Sequence, residues 1–258
     1  MREVTRVFHK AMQFFPRHSL VIEYLEFNLN KYEDGVIGEE EMREIFENCI
    51  SICGFDVYEA QNLWQMYRNF EIAEHREILQ DDNEDSEELN TAKLRVIGVF
   101  RRQLSLPMLG NEGVLLDFQM WLSSHCTESD TDIIDPLSLN DKYEKAVADY
   151  AARTPFEERL STETFQTSSI SEKLNVWKAY IQFEIDDNQI SRADRLYRRA
   201  SSEIGNFPGF WEAYVSFAVG ILKDPAVRHR SYRNITIVLY SIIQSLKLSL
   251  FFYFLHSP

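Results

Sequence analysis

The side chains in this sequence with the most chemical potential are six histidines and three cysteines, and their spacing assembles no reaction centre. His9, His18, His75, His125, His229 and His256 are scattered, with no HExxH and no pair at helix spacing. Cys49 and Cys53 stand one helical turn apart and Cys126 follows His125. A zinc site needs four ligands, so two more would have to come from elsewhere; a buried structural thiol is the ordinary fate of such cysteines. No GxSxG elbow, GxxxxGKS/T loop or GxGxxG turn occurs, so neither a hydrolase nor a nucleotide site is signalled. The expectation is a protein with no catalytic residue, no cofactor and no metal. Arg192, Arg195 and Arg199, spaced three and four, share one helix face with Asp194 beside it. That basic face could contact RNA or form ion pairs with nearby acids.

Charge narrows the partners. The chain has 258 residues, 27 of them Lys or Arg and 41 Asp or Glu, for a net charge of −14. Residues 219–258 hold five of the cations and one of the acids, so residues 1–218 carry −18. A body that acidic is badly suited to gripping a phosphate backbone, where lysine and arginine supply the affinity. Basic proteins suit it better. The run DDNEDSEE over 81–88 reads as a solvated loop, or as an electrostatic lure for a basic peptide. Apolar residues make up 45% of the chain, enough for a sizeable core, and nine glycines with seven prolines argue against an all-β fold. Three cysteines build no disulfide framework, which points to a reducing compartment. Met1 to Ala11 is charged and amphipathic, unlike a signal peptide.

The elements that would carry these residues are legible as a repeat. Aromatic or apolar residues recur at i, i+3 and i+6 in Trp64, Tyr67, Phe70, again in Trp177, Tyr180, Phe183, and again in Trp211, Tyr214, Phe217. Weaker copies are Val21, Tyr24, Phe27 and Leu115, Phe118, Trp121, and an acid follows the last aromatic in two copies, Glu71 and Glu184. Steps of three hold large side chains within one broad helical stripe. A second pattern places an aromatic three residues before a small or polar one: Phe8 and Ala11, Phe46 and Cys49, Phe100 and Gln103, Tyr143 and Ala146, Tyr197 and Ala200. The two patterns alternate strictly, so the chain is expected to be an array of helical hairpins.

The spacing predicts helices over about 2–15, 19–31, 39–52, 57–79, 90–105, 112–124, 138–152, 172–187, 190–204 and 208–221. Pro16, Gly35, Gly38, Pro107, Gly110, Gly113, Pro136, Gly205, Pro208 and Gly209 punctuate them. The step from Trp177 to Trp211 is one two-helix repeat. Earlier steps are longer, and the additions, Asp81–Glu88 and Arg153–Glu172, are expected to lengthen helices or protrude as loops.

Trp-x-x-Tyr-x-x-Phe-Glu followed by an arginine-rich aromatic helix resembles the HAT (half-a-TPR) repeat of RNA-processing scaffolds. NLWQMYRNFEIAEH (62–75), VFRRQLSLPML (99–109) and WKAYIQFEIDDNQISRADRLYRRA (177–200) are similar to the N-terminal half of the U4/U6 small nuclear ribonucleoprotein recycling factors of that family. The resemblance covers residues 1–234 and implies an all-α, TPR-like superhelix of about five repeats, the first and last incomplete. It implies a nuclear, non-catalytic scaffold for U4/U6 recycling and pre-mRNA splicing, docking splicing factors and ubiquitin-specific proteases on a concave face of first-pattern helices. In the family, RNA recognition motifs further along the chain bind U6 RNA. No segment here resembles one, so RNA is expected to be reached only indirectly, and the family's dimerisation is not expected of this polypeptide. Other readings are a HAT scaffold of pre-mRNA 3′-end or pre-rRNA processing, and a tail-anchored membrane adapter.

The last reading concerns residues 235–258. Ile235 to Leu255 carries one charge, Lys247, and is long enough to span a bilayer. HAT spacing stops after Asn234, and the expectation is that this segment lies outside the native fold, as intron read-through or a truncated gene model produces. A capping helix and a membrane anchor are the alternatives; a membrane partner is not the expectation.

Overall fold

Side chains that recur every three or four residues can share a buried face only on a helix, and among the described residues every regular element is helical. The computed structural model describes residues 2–14, 17–80, 86–127, 136–205 and 207–222. Among these described residues are eleven α-helices: α1 (Arg2–Phe14), α2 (His18–Glu33), α3 (Glu39–Cys53), α4 (Gln61–Gln80), α5 (Ser86–Leu104), α6 (Asn111–His125), α7 (Pro136–Ser161), α8 (Glu163–Thr167), α9 (Ile170–Asp186), α10 (Ile190–Ile204) and α11 (Pro208–Phe217). A π-helical turn, Ala218–Leu222, continues α11.

Local chemistry sets the ends. Glu39, Glu40 and Glu41 occupy the first turn of α3, where the helix dipole favours negative charge. Helix α4 starts later than expected because the Asp56 carboxylate accepts from the backbone N–H groups of Tyr58 (3.1 Å) and Glu59 (3.0 Å), holding a turn. Helix α5 starts earlier, with Glu87 and Glu88 in its first turn. Ser169 and Glu172 close a capping box on α9.

Of the two courses expected for the stretch Arg153–Glu172, its first part takes the helical one: it extends α7 past the predicted end at residue 152, and Arg153, Glu157, Leu160 and Phe165 are buried. Pro155 removes a backbone donor inside this helix. Just before it, the Thr154 hydroxyl donates to Tyr150 O (3.0 Å) and the Arg153 guanidinium to Asp149 O (2.9 Å), so side chains engage the carbonyls ahead of the proline.

The chain divides into two compact units, His18–Glu158 and a second made of residues 1–17 with Arg159 onward. In the first, α2 packs on α3, α3 on α4, α4 on α5 and α5 on α6. One of its cores joins Val96, Ile97, Phe100 and Leu104 of α5 to Val114, Phe118 and Trp121 of α6 and Leu139 of α7. In the second unit, α9 packs on α10 and α10 on α11.

Two glycines at the head of α6 separate strain from freedom. Gly110 has φ +78°, and a Cβ there would meet Gln61 Nε2 at 2.7 Å; at Gly113 a Cβ would meet nothing within 4 Å. Gly110→Ala is expected to destabilise by about 1–2 kcal/mol. Gly113→Ala, in the first turn of α6, is expected to stabilise by about 0.5 kcal/mol. Urea unfolding of the two variants, with opposite shifts in midpoint, checks the assignment.

Candidate functional site

An interaction array works through the face its repeats hold in common, so the first question is how one repeat is built. The second-pattern aromatic stacks on the middle residue of the next triplet: Phe46 on Tyr67 at 4.6 Å, Phe100 on Phe118 at 4.8 Å, and Tyr197 on Tyr214 at 4.7 Å between ring centroids. The triplet tryptophan has a second task. Trp64 Nε1 donates to Gly54 O (2.7 Å) and Trp211 Nε1 to Gly205 O (2.6 Å), and each glycine is the C-cap of the helix before. Terminal helix carbonyls lack intrahelical partners, and an indole is a donor only, so the match satisfies both. Trp177 follows the short α8 instead. Its indole donates forward to Glu203 of α10 (3.2 Å), with the Arg199 guanidinium 5.5 Å from its ring centroid. Trp64, Tyr67, Phe70, Trp177, Tyr180, Trp211, Tyr214 and Phe217 are buried, and Phe183 is half-buried.

Polar ties run beside these stacks. The Tyr67 hydroxyl donates to Glu47 (3.1 Å) and that of Tyr214 to Asp194 (2.8 Å), so these two triplet tyrosines each reach an acid on the preceding helix. Arg102 also holds Glu47 (2.5 and 2.8 Å), and this hydrogen bond keeps the Glu47 carboxyl below the usual carboxylate range. Arg43 lies 5.6 Å from the Phe70 centroid and donates to Glu71 at 3.0 Å, with both side chains buried. Burial pushes the Glu71 carboxyl up, against the pull of Arg43. Arg43 further reaches Glu39 (3.0 Å) and Glu40 (2.8 Å), and Arg95 joins Glu40 at 3.2 Å. Residues that follow the last aromatic of a triplet, Glu71 and Glu184, are both buried. Their position was visible in the sequence; the arginine that meets Glu71 from another helix was not.

Two family profiles match this pattern in tandem. The profile described as the PRP39 N-terminal HAT repeat matches residues 1–119, and that described as the PRP39 C-terminal HAT repeat matches residues 151–254. The chain is a HAT-repeat protein.

Its HAT array is similar to spliceosome associated factor 3, a U4/U6 recycling protein. The Homo sapiens relative is 27% identical over 237 residues, 88% of this chain and 21% of its own length. That of Mus musculus is 25% identical over 240 residues (90% and 21%), and that of Danio rerio 25% identical over 179 residues (67% and 17%). The chain spans about a fifth of the length of these curated relatives. The C-terminal HAT match runs past Asn234 into the apolar segment 235–258, which lies outside the described residues. No helix among the described residues is long and apolar enough to cross a membrane.

Charge is divided unevenly along the sequence of the HAT array. His18–Glu158 holds 31 acids against 11 bases, a net −20; the remainder holds 10 acids against 16 bases, a net +6. Arg192, Arg195 and Arg199 lie half-buried on α10, with Arg199 on Trp177 and the neighbouring Arg198 on Asp194 at 2.5 Å. Of the acidic run 81–88, Glu87 and Glu88 are exposed and residues 81–85 lie outside the described set. Cys49 and Cys53 are buried and Cys126 half-buried; burial pushes the Cys49 thiol up to about 12, which leaves little thiolate for ligation or redox chemistry.

First-pattern HAT helices also touch one another. The Tyr32 hydroxyl of α2 donates to Glu74 of α4 (2.6 Å), and His75 of α4 lies 5.4 Å from the Trp121 ring and 5.2 Å from His125 of α6. Burial holds His75 below the usual imidazole value, with His125 and Lys93 acting the same way. A depressed folded-state pKa adds stability that is present above the unfolded value and lost as pH falls through the folded one. Stability is therefore expected to decline as pH drops below about 6.5, the ordinary value of an unperturbed histidine. His75→Gln is expected to flatten that decline in urea unfolding compared at pH 7.5 and pH 5.5.

Proposed function

We propose that this HAT array is a non-catalytic protein-interaction scaffold in U4/U6 small nuclear ribonucleoprotein recycling and pre-mRNA splicing, working in the nucleus. The observation that carries this reading is the similarity to spliceosome associated factor 3 along 88% of the chain. The strongly acidic unit His18–Glu158 supports partners that are basic proteins rather than a bare nucleic acid backbone. In this reading splicing factors dock on the first-pattern helices, and ubiquitin-specific proteases are a further class of partner. RNA is reached through the proteins held.

Tagged full-length chain recovered from nuclear extract tests it, with and without ribonuclease. The expected result is co-recovery of U4/U6 ribonucleoprotein components, with the protein contacts surviving ribonuclease. Recovery of 3′-end cleavage factors or pre-rRNA in their place, or of no splicing protein, would overturn the assignment.

A further inference from the structure

The contacts Tyr32–Glu74 and His75–Trp121 set α2, α4 and α6 side by side, while α3 packs against α2 and α4, and α5 against α4 and α6. The faces of α2, α4 and α6 turned away from α3 and α5 therefore form one surface. Its composition changes from helix to helix. On α2 the outward stripe carries exposed Glu23 and Glu26. On α4 it carries exposed Asn62, Gln65 and Asn69, with Arg76 near the helix end. On α6 it carries Leu116 and Met120, 61% and 70% exposed, one turn apart. Two large apolar side chains left that open on a helix whose other face is fully packed constitute an unpartnered patch.

We propose that this surface docks an extended peptide segment of a partner protein, with basic residues over α2, backbone over α4 and a large apolar side chain over α6. The proposal rests on the scaffold reading above and assigns it a site. Charge complementarity selects the partner: Glu23 and Glu26 sit in a unit of net charge −20. Side-chain amides offer both donors and acceptors, as an extended main chain requires, and they do so without demanding a particular sequence. Leu116 and Met120 supply the apolar contact, methionine adapting to the shape it meets. Tyr32–Glu74 and His75–Trp121 are reaches of long side chains, which puts each step at the upper end of the helix-packing range, about 10 Å, and α2 to α6 at about 20 Å. An extended chain covers that in about five or six residues, which fixes the spacing between the basic and apolar ends.

Fluorescence anisotropy with the full chain tests this, using a labelled peptide of two arginines, a Ser/Ala spacer of about five residues and two leucines (spacing from the reach of an extended chain). Leu116→Ser with Met120→Ser is expected to weaken binding tenfold or more. Glu23→Gln with Glu26→Gln is expected to do the same and to flatten the salt dependence. Shortening the spacer to about two residues is expected to cost a similar factor. All four side chains are exposed, so unchanged thermal melting is the folding control. Three results would overturn the site: no measurable binding, affinity that follows peptide charge regardless of spacer and Leu116/Met120, or self-association of the chain that the Leu116/Met120 variant abolishes. Recovery of U4/U6 components by that variant as by the unaltered chain would sink the site and leave the scaffold reading standing. Loss of recovery by the unaltered chain would sink the scaffold reading instead.

Discussion

Trp177→Ala is expected to destabilise the C-terminal repeats by about 3–5 kcal/mol, the usual cost of truncating a fully buried tryptophan. The indole is 0% exposed, and it supports more than its own volume. Its N–H donates to Glu203 and its ring lies beneath the Arg199 guanidinium, so alanine leaves a cavity and releases both charged groups from α10. Stability in a stacked array is a sum of repeat and neighbour contributions, so the loss should appear as early melting of α9–α11, read by circular dichroism in urea. Met120→Ser, on an exposed side chain, is expected to stay within about 0.5 kcal/mol. If the two variants melt alike, the repeat register is wrong.

The second large effect concerns Arg43 and Glu71. Arg43→Ala is expected to cost about 3–5 kcal/mol, because it leaves the Glu71 carboxylate buried without its partner. The pair itself is a weaker source of stability than its geometry suggests. Both ions give up hydration, and the 3.0 Å contact largely returns what that costs. Arg43→Met combined with Glu71→Leu is therefore expected to recover most of the loss, and a double-mutant cycle reads the coupling directly. An Arg43→Ala cost below about 1 kcal/mol would mean that solvent reaches Glu71 after all.

Sequence and structure divide the credit unevenly along the chain. The triplets Trp64, Tyr67, Phe70 and Trp211, Tyr214, Phe217 were legible because a buried helical stripe leaves a period in the sequence that survives any rearrangement of neighbours. The stretch after residue 152 was legible only as an insertion, with helix and loop both open. Pro155 and the polar run to Ser171 carry the local marks of a loop, yet α7 continues to Ser161, with Arg153, Glu157 and Leu160 buried along it. The exposed pair Leu116 and Met120 was only half legible: the stripe Leu115, Phe118, Trp121 places both on the opposite face of α6, but how far that face is left open is settled by the structure.

By itself the sequence determined the class of fold, the alternation of two helix types, the family and the surplus of acid, since each is a property of composition or of spacing along one helix. The tertiary structure decided which polar groups meet: Arg43 with Glu71, Arg102 with Glu47 and Tyr214 with Asp194 pair across twenty to fifty-five residues. It also decided that exposed glutamates, amides and apolar side chains lie on α2, α4 and α6 in turn. The reason is physical. A helix records its own buried face in its sequence, whereas a partner on another helix is chosen by packing in space, where no local period reports it.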